Sequence, residues 1–149
     1  MSEFKIDRAA ADACYEMARK SFVEGGVPVG AVLAKDGEII ATGHNQRVQK
    51  GDPIAHGEMD CLRNAGRRAT YDGLTLYTSL SPCMMCSGTI VQFGIPNVVI
   101  LDDQNFGGNE EFLRSHGVNV LIHTDDRCVR QMKRFIEEKP KLWNEDIAE

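Results

Sequence analysis

Apolar residues along this chain recur first at the period of a helix and later at the period of strands. Wound at 3.6 residues per turn, 6–23 places Ile6, Ala10, Ala13, Cys14, Met17 and Ala18 on one stripe. The segment "EGGVP" at 24–28 stops that helix. Two short runs, "VGAVLA" at 29–34 and "IIATGH" at 39–44, then flank "KDGE", whose Asp36-Gly37 is a strong hairpin turn. A loop through Gly51-Asp52-Pro53 leads into a helical pattern at 56–66. Beyond it the pattern alternates: strand "LTLYTSL" (74–80), helix 83–93, strand "NVVIL" (97–101), a short helix near 109–116, strand "VNVLI" (118–122) and a last helix from Asp125. That helix carries Val129, Met132, Phe135 and Ile136 on one face, and Pro140 either ends it or begins another turn.

A hairpin followed by repeating β-α-β units predicts a central five-stranded mixed sheet whose later strands are parallel. Right-handed crossovers put helices on both faces, giving an α/β fold organised as a three-layer α/β/α sandwich. Such sheets bind ligands beyond the carboxyl ends of their parallel strands. "SPCMMC" at 81–86 falls there, after a strand and opening a helix. No repeat or linker divides the chain, so 1–149 is expected to be one domain.

Composition narrows the class. The longest apolar runs are far shorter than a membrane span, and "MSEFKIDRAA" lacks the apolar stretch of a signal peptide, so a cytoplasmic protein with no membrane partner is expected. Net charge is −5 and the basic residues are scattered, which argues against a nucleic-acid partner and for a small neutral substrate. Five cysteines, an odd number, argue against a disulfide framework. Cys14, Cys61 and Cys128 stand within apolar helical patterns and read as buried small hydrophobes. Cys83 and Cys86 form the one Cys-x-x-Cys.

At positions i and i+3 of a helix both sulfurs reach one point, and a helix N-terminus favours thiolates. A redox pair uses the same spacing, but a catalytic zinc needs a third protein ligand and an open position. "AHGEMD" at 55–60 offers it. His56 and Glu58 face one site only if His56 sits at the helix start, before the turn is regular. His56-Gly57-Glu58 with Pro82-Cys83-Met84-Met85-Cys86 matches the zinc-deaminase signature His-x-Glu … Pro-Cys-x-x-Cys, in which the Glu is the acid/base and not a ligand. One neutral imidazole and two thiolates leave a Zn²⁺ centre formally neutral, so its water is acidified less than at a three-histidine site. Glu58 makes up the difference by taking the water proton and delivering it to a ring nitrogen and the leaving amine.

With these residues in view, the chain resembles the cytidine-deaminase-like zinc hydrolases, and within them the fungal-type cytosine deaminases. The resemblance runs nearly end to end, through "EGGVPVGAVL", "GHNQRVQKG", "HGE", "TLYTSLSPCMMCSGTI", "FGIPNVVI", "QNF", "DDRCVRQMKRFIEEKP" and "WNEDI". It implies a homodimer, one zinc per chain held by His56, Cys83 and Cys86, and proton transfer by Glu58. It also implies a free-base pocket: Asn45 bonding the pyrimidine, the Gly57 N–H its carbonyl oxygen, and the Ser81 carbonyl with Asp146 the exocyclic amine. Phe106, Trp143 and Val29 would wall the ring. Cytosine to uracil plus ammonia is the implied reaction, with pyrimidine salvage as its setting. Guanine or isocytosine remains the alternative substrate, because Val29 departs from the fungal pattern near the pocket.

A reading of another class is a non-catalytic, zinc-stabilised scaffold. It needs a fourth protein ligand, and His44, His116 and His123 lack motif spacing. The lone tryptophan, Trp143, stands three residues before Asp146 near the chain's end. Given a pocket to cover, 140–149 is expected to act as a lid, with Trp143 over the base and Asp146 on its amine.

Overall fold

The computed structural model describes residues 5–149. The signal-peptide reading rests partly on residues 1–4, which lie outside the described residues. Asp7 caps the first helix, α1 (Arg8–Val23), by accepting the Ala9 and Ala10 N–H groups, which shortens the expected 6–23 helix by two residues. Its buried line runs through Ala10, Cys14, Ala18 and Ser21, while Ala13 and Met17 stand at the margin. Strands β1 (Gly30–Lys35) and β2 (Glu38–His44) form the expected hairpin. Asp36 and Gly37 both have positive φ, 51° and 80°, as a tight two-residue turn requires.

A short helix, α2 (Arg47–Lys50), occupies the stretch expected to be loop; four polar-leaning residues carry no period by which to find it. It is followed by α3 (Gly57–Ala65), β3 (Thr75–Thr78), α4 (Met84–Phe93), β4 (Asn97–Ile100), α5 (Glu110–Ser115) and β5 (Asn119–Ile122). The final helices are α6 (Asp126–Glu138) and α7 (Pro140–Asp146). Pro140 does both things expected of it: α6 ends at Glu138, and the proline opens α7 from its first turn, where its missing N–H is not needed.

The sheet order is β2-β1-β3-β4-β5, with β1 antiparallel to both neighbours and β3, β4 and β5 parallel. Alternate residues feed two apolar layers. Ala31, Leu33, Leu76, Val98 and Ile100 meet Cys61 and Leu62 of α3, Ile90 of α4 and Leu113 of α5. Val32, Ala34, Tyr77 and Val99 meet Ala10 and Cys14 of α1 and Cys128 of α6. The fold is the α/β/α sandwich expected. Each fully buried Leu, Ile or Val in these layers is worth about 1.5–3 kcal/mol of burial.

A third cluster lies beyond the ends of the central strands. Val27, Val29 and Leu80 pack with Met132 and Phe135 of α6 and Trp143 of α7. Because β1 is antiparallel, its start at Gly30 lies beside the ends of β2 (His44) and β3 (Thr78). Loops leaving these three strands therefore converge on one place, roofed by α7. No described helix is long and apolar enough to cross a membrane.

Candidate active site and metal centre

His56 is the residue before α3, with extended backbone (φ −72°, ψ 160°), and Cys83 stands in the same position before α4 (φ −69°, ψ 175°). Both side chains therefore leave the chain before the helical turn is regular. Glu58 can face the same point as His56 despite the two-residue spacing. Cys86, in the first turn of α4, donates its backbone N–H to the Cys83 sulfur at 3.4 Å. His56 Nδ1 lies 3.5 Å from Cys83 Sγ and 3.8 Å from Cys86 Sγ. The three ligand atoms all fall within 4.8 Å of one another.

Those separations test the fit of a metal. Zn–N near 2.05 Å and Zn–S near 2.3 Å at a tetrahedral angle put N and S about 3.6 Å apart. The observed N···S distances bracket that value, so one nitrogen and two sulfurs are spaced as three corners of a zinc tetrahedron. Among the described residues no other group of three His, Cys, Asp or Glu side chains clusters this way. His44, His116 and His123 are not part of it, which leaves a fourth corner facing the cavity. The Cys83 thiol is pulled down to about 4, foremost by a hydrogen bond from the Cys86 thiol, which outweighs burial, with His56 adding to the effect. Cys86 is pushed well above its ordinary range, first by that same bond and then by burial. Binding of a metal cation to thiol ligands releases their protons.

Glu58 is 4% exposed and lines the cavity with His56 and Cys83. Burial foremost, and then the charge of Cys83, raise its carboxyl to about 7. A carboxyl titrating near neutrality both accepts and returns a proton without a large energy step. Gly57 precedes it where a side chain would force Val29 to move: a Cβ there would lie 2.9 Å from the Val29 carbonyl oxygen and 3.2 Å from Val29 Cγ1. As the first residue of α3, Gly57 has a backbone N–H with no acceptor inside the helix.

The cavity and its opening to solvent together hold about 320 Å³ of atom-free space. Val29, Asn45, Ser81, Phe106 and Asp146 line it, as expected, and so do Leu80 and Ile147, which sequence reasoning missed. The sequence pattern makes Leu80 the last residue of a strand; the strand ends at Thr78, and the chain then crosses the sheet edge. Ile147 directly follows Asp146 at the end of α7, the one signal that could have found it. Trp143 is buried but does not line the cavity. It stands behind Phe106, edge to face, with centroids 6.3 Å and planes 86° apart. Gly57 is likewise at the site without lining it.

Hydrogen bonds fix how these groups point. Ser81 donates its hydroxyl to Glu110 at 2.7 Å and its N–H to the Asp102 carbonyl at 2.8 Å, which ties it down from two sides. Asp102 accepts the Gln104 and Asn105 N–H groups and the Asn105 amide, shaping the loop that delivers Phe106. Asn45 Oδ1 accepts the Arg47 N–H at 2.9 Å, which leaves its amide NH₂ for other acceptors. Asp146 Oδ1 is buried without a hydrogen-bond partner, 3.6 Å from His56 Nε2 and 4.0 Å from Arg47 Nε. Burial raises the Asp146 carboxyl above its ordinary value, against His56 and Arg47, which lower it. An orphaned buried acceptor at a cavity wall marks where a donor of a bound molecule belongs.

Three imidazole and thiolate ligands, an open corner and a buried carboxylate define a mononuclear zinc hydrolase centre. Residues 5–102 match the family model of the cytidine and deoxycytidylate deaminase zinc-binding region, and the chain belongs to that family. It is 44% identical over 146 residues to a cytosine deaminase of Candida albicans, covering 96% of this chain and 97% of that one. A tRNA-specific adenosine deaminase of Aquifex aeolicus is 41% identical over 95 residues, covering 61% of this chain and 63% of the other. Among solved structures, a guanine deaminase from Nitrosomonas europaea superimposes with a TM-score of 0.71 at 21% identity, covering 90% of this chain and 86% of that one, and so shares the fold. The family binds zinc, and His56, Cys83 and Cys86 form a site that could hold it.

Proposed function

We propose that this chain hydrolyses cytosine to uracil and ammonia. The observation that carries the reading is the full zinc and Glu58 constellation, lining one cavity, in a chain 44% identical to a cytosine deaminase across nearly its whole length. Bound zinc supplies Lewis acidity that brings a water toward hydroxide near neutral pH. Glu58 takes the first proton that water releases and passes it to the ring nitrogen; it then takes the remaining proton of the added hydroxyl, as that oxygen becomes the new carbonyl, and passes it to the amine, which leaves as ammonia. The Gly57 N–H donates to the base's carbonyl oxygen, and Asn45 bonds the ring edge. The Ser81 carbonyl and Asp146 Oδ1 accept from the exocyclic amine, which gives the orphaned oxygen its donor. Val29, Leu80, Phe106 and Ile147 enclose the ring, with Trp143 holding Phe106 from behind.

Residues 140–149 form the lid of this pocket in the single domain 1–149. Support for the lid comes from Asp146 and Ile147 on the cavity wall and from an ion pair between Arg47 and Glu145 that joins α2 to α7. A homodimer accompanies the reading, and Met84, Met85 and Phe93 of α4 are exposed apolar side chains that a second copy could cover. The net charge of −5 favours a free base over a polynucleotide, and a cytoplasmic role in pyrimidine salvage suits such a substrate. Ammonia release measured with cytosine, before and after chelation, tests the proposal. Zinc-dependent release is expected; equal turnover after zinc removal contradicts it.

A further inference from the structure

Asp60 takes no part in the chemistry above and does not line the cavity, yet it is a buried carboxylate, 4% exposed. Its Oδ2 accepts the backbone N–H of His44 at 3.0 Å, and its Oδ1 accepts the side-chain amide of Gln46 at 3.0 Å. The residue between those two donors is Asn45. Asp60 itself is rooted one turn into α3, where its N–H donates to the His56 carbonyl at 2.9 Å. One side chain thus grips both flanks of Asn45 from the helix that follows the zinc ligand and carries Glu58.

The remaining bonds of Asn45 leave it little freedom. Its N–H donates to the Val29 carbonyl at 2.8 Å, and its carbonyl accepts from the Ser21 hydroxyl at 2.8 Å and the Gln49 amide at 3.1 Å. We propose that Asp60 is a positioning residue for the deamination, holding Asn45 in register with Glu58 so that the bound base meets both at once. The proposal rests on the assignment of Asn45 to the substrate. An ionised carboxylate suits this role because both oxygens accept and neither donates. An asparagine at 60 would turn an NH₂ group toward one of the two donors, releasing one flank at nearly constant volume. Charge-assisted bonds to a carboxylate are also stronger than neutral ones.

A double-mutant cycle tests this with cytosine as substrate: wild type, Asp60→Asn, Asn45→Ala and the combined variant, each with zinc content and melting temperature recorded. Asp60→Asn is expected to lower kcat/KM about 10- to 100-fold, mostly through KM, with zinc retained, since a misplacement near 1 Å costs up to that much. In the Asn45→Ala background the same change should alter kcat/KM less than about twofold, because the group it positions is gone. An equal loss in both backgrounds overturns the proposal, and so does unchanged kinetics in Asp60→Asn. If Asn45→Ala alone leaves activity intact, the assignment of Asn45 fails first and takes the proposal with it. Should Asp60→Asn not fold, Gln46→Ala releases one flank with Asp60 in place. A raised KM that vanishes in the Asn45→Ala background supports the proposal, and an unaltered KM overturns it.

Discussion

The His56 ring faces two ways, with Nδ1 3.5 Å from Cys83 Sγ and Nε2 3.6 Å from Asp146 Oδ1. The imidazole that could hold the metal thus lies beside α7 (Pro140–Asp146). A carboxylate behind a ligating imidazole orients the ring and raises its basicity. The same Asp146 oxygen is buried with no hydrogen-bond partner.

Asp146→Asn should therefore show two defects. Zinc retention against a competing chelator should weaken by about 10-fold or more, the cost of losing such a partner. The kcat/KM for cytosine should fall further than for a pyrimidine lacking the exocyclic amine, since an unpaired buried group costs about 1–3 kcal/mol. Unaltered zinc retention would mean that Asp146 serves the base alone.

Glu58→Gln should keep about one zinc per chain and lose turnover by at least about 10²- to 10⁴-fold, the range of general acid–base catalysis. The carboxyl is raised toward 7 by burial, so the neutral amide is expected to fold as well as the acid does. Metal analysis beside single-turnover kinetics checks both halves. Loss of zinc would make Glu58 a ligand and contradict its role as proton carrier.

Trp143→Ala should act through Phe106. Removing a buried Trp side chain costs about 3–5 kcal/mol where the site cannot collapse, so the melting temperature should drop. KM for cytosine should rise because the edge-to-face support of the Phe106 ring is gone. Trp143→Phe should restore much of both. Kinetics unchanged in the alanine variant would remove Trp143 from the account of the lid.

The architecture was largely legible because its signals are local. Asp36-Gly37 dictates a two-residue turn, and the His-x-Glu spacing makes sense only with His56 ahead of its helix, where it stands. What escaped is set by packing. Helix α2 is too short to show a period, and Leu80 reads as a strand residue until the chain turns at Thr78. Trp143 reads as a wall for the ring; in the structure it contacts Phe106, which lines the cavity, edge to face, while Trp143 itself is not on the lining. The grip of Asp60 on His44 and Gln46 depends on α3 lying against the end of β2, which no motif announces.

Asp125 caps α6, the helix whose Met132 and Phe135 lie under Trp143, and accepts from the Arg127 backbone and guanidinium. Those hydrogen bonds, outweighing burial, hold its carboxyl below the ordinary value. The stability it contributes is present above the unfolded-state pKa of about 3.9 and fades as pH falls through the lower folded value. Asp125→Ala should cost about 0.5–2 kcal/mol at neutral pH. The gap from wild type should narrow below about pH 4 in denaturant titrations. A gap that stays constant across that range would show that the charge contributes nothing.

The central claim is that one zinc centre, with Glu58 beside it, deaminates free cytosine. Ammonia release should be compared across cytosine, 5-methylcytosine, isocytosine, guanine, adenine and cytidine with the zinc-loaded protein, and repeated after chelation and zinc return. Cytosine should give the highest kcat/KM, lost on chelation and recovered with zinc, and cytidine should be a poor substrate of a site that acts on the free base. A preference for guanine or for the nucleoside, or turnover that survives zinc removal, would contradict the account.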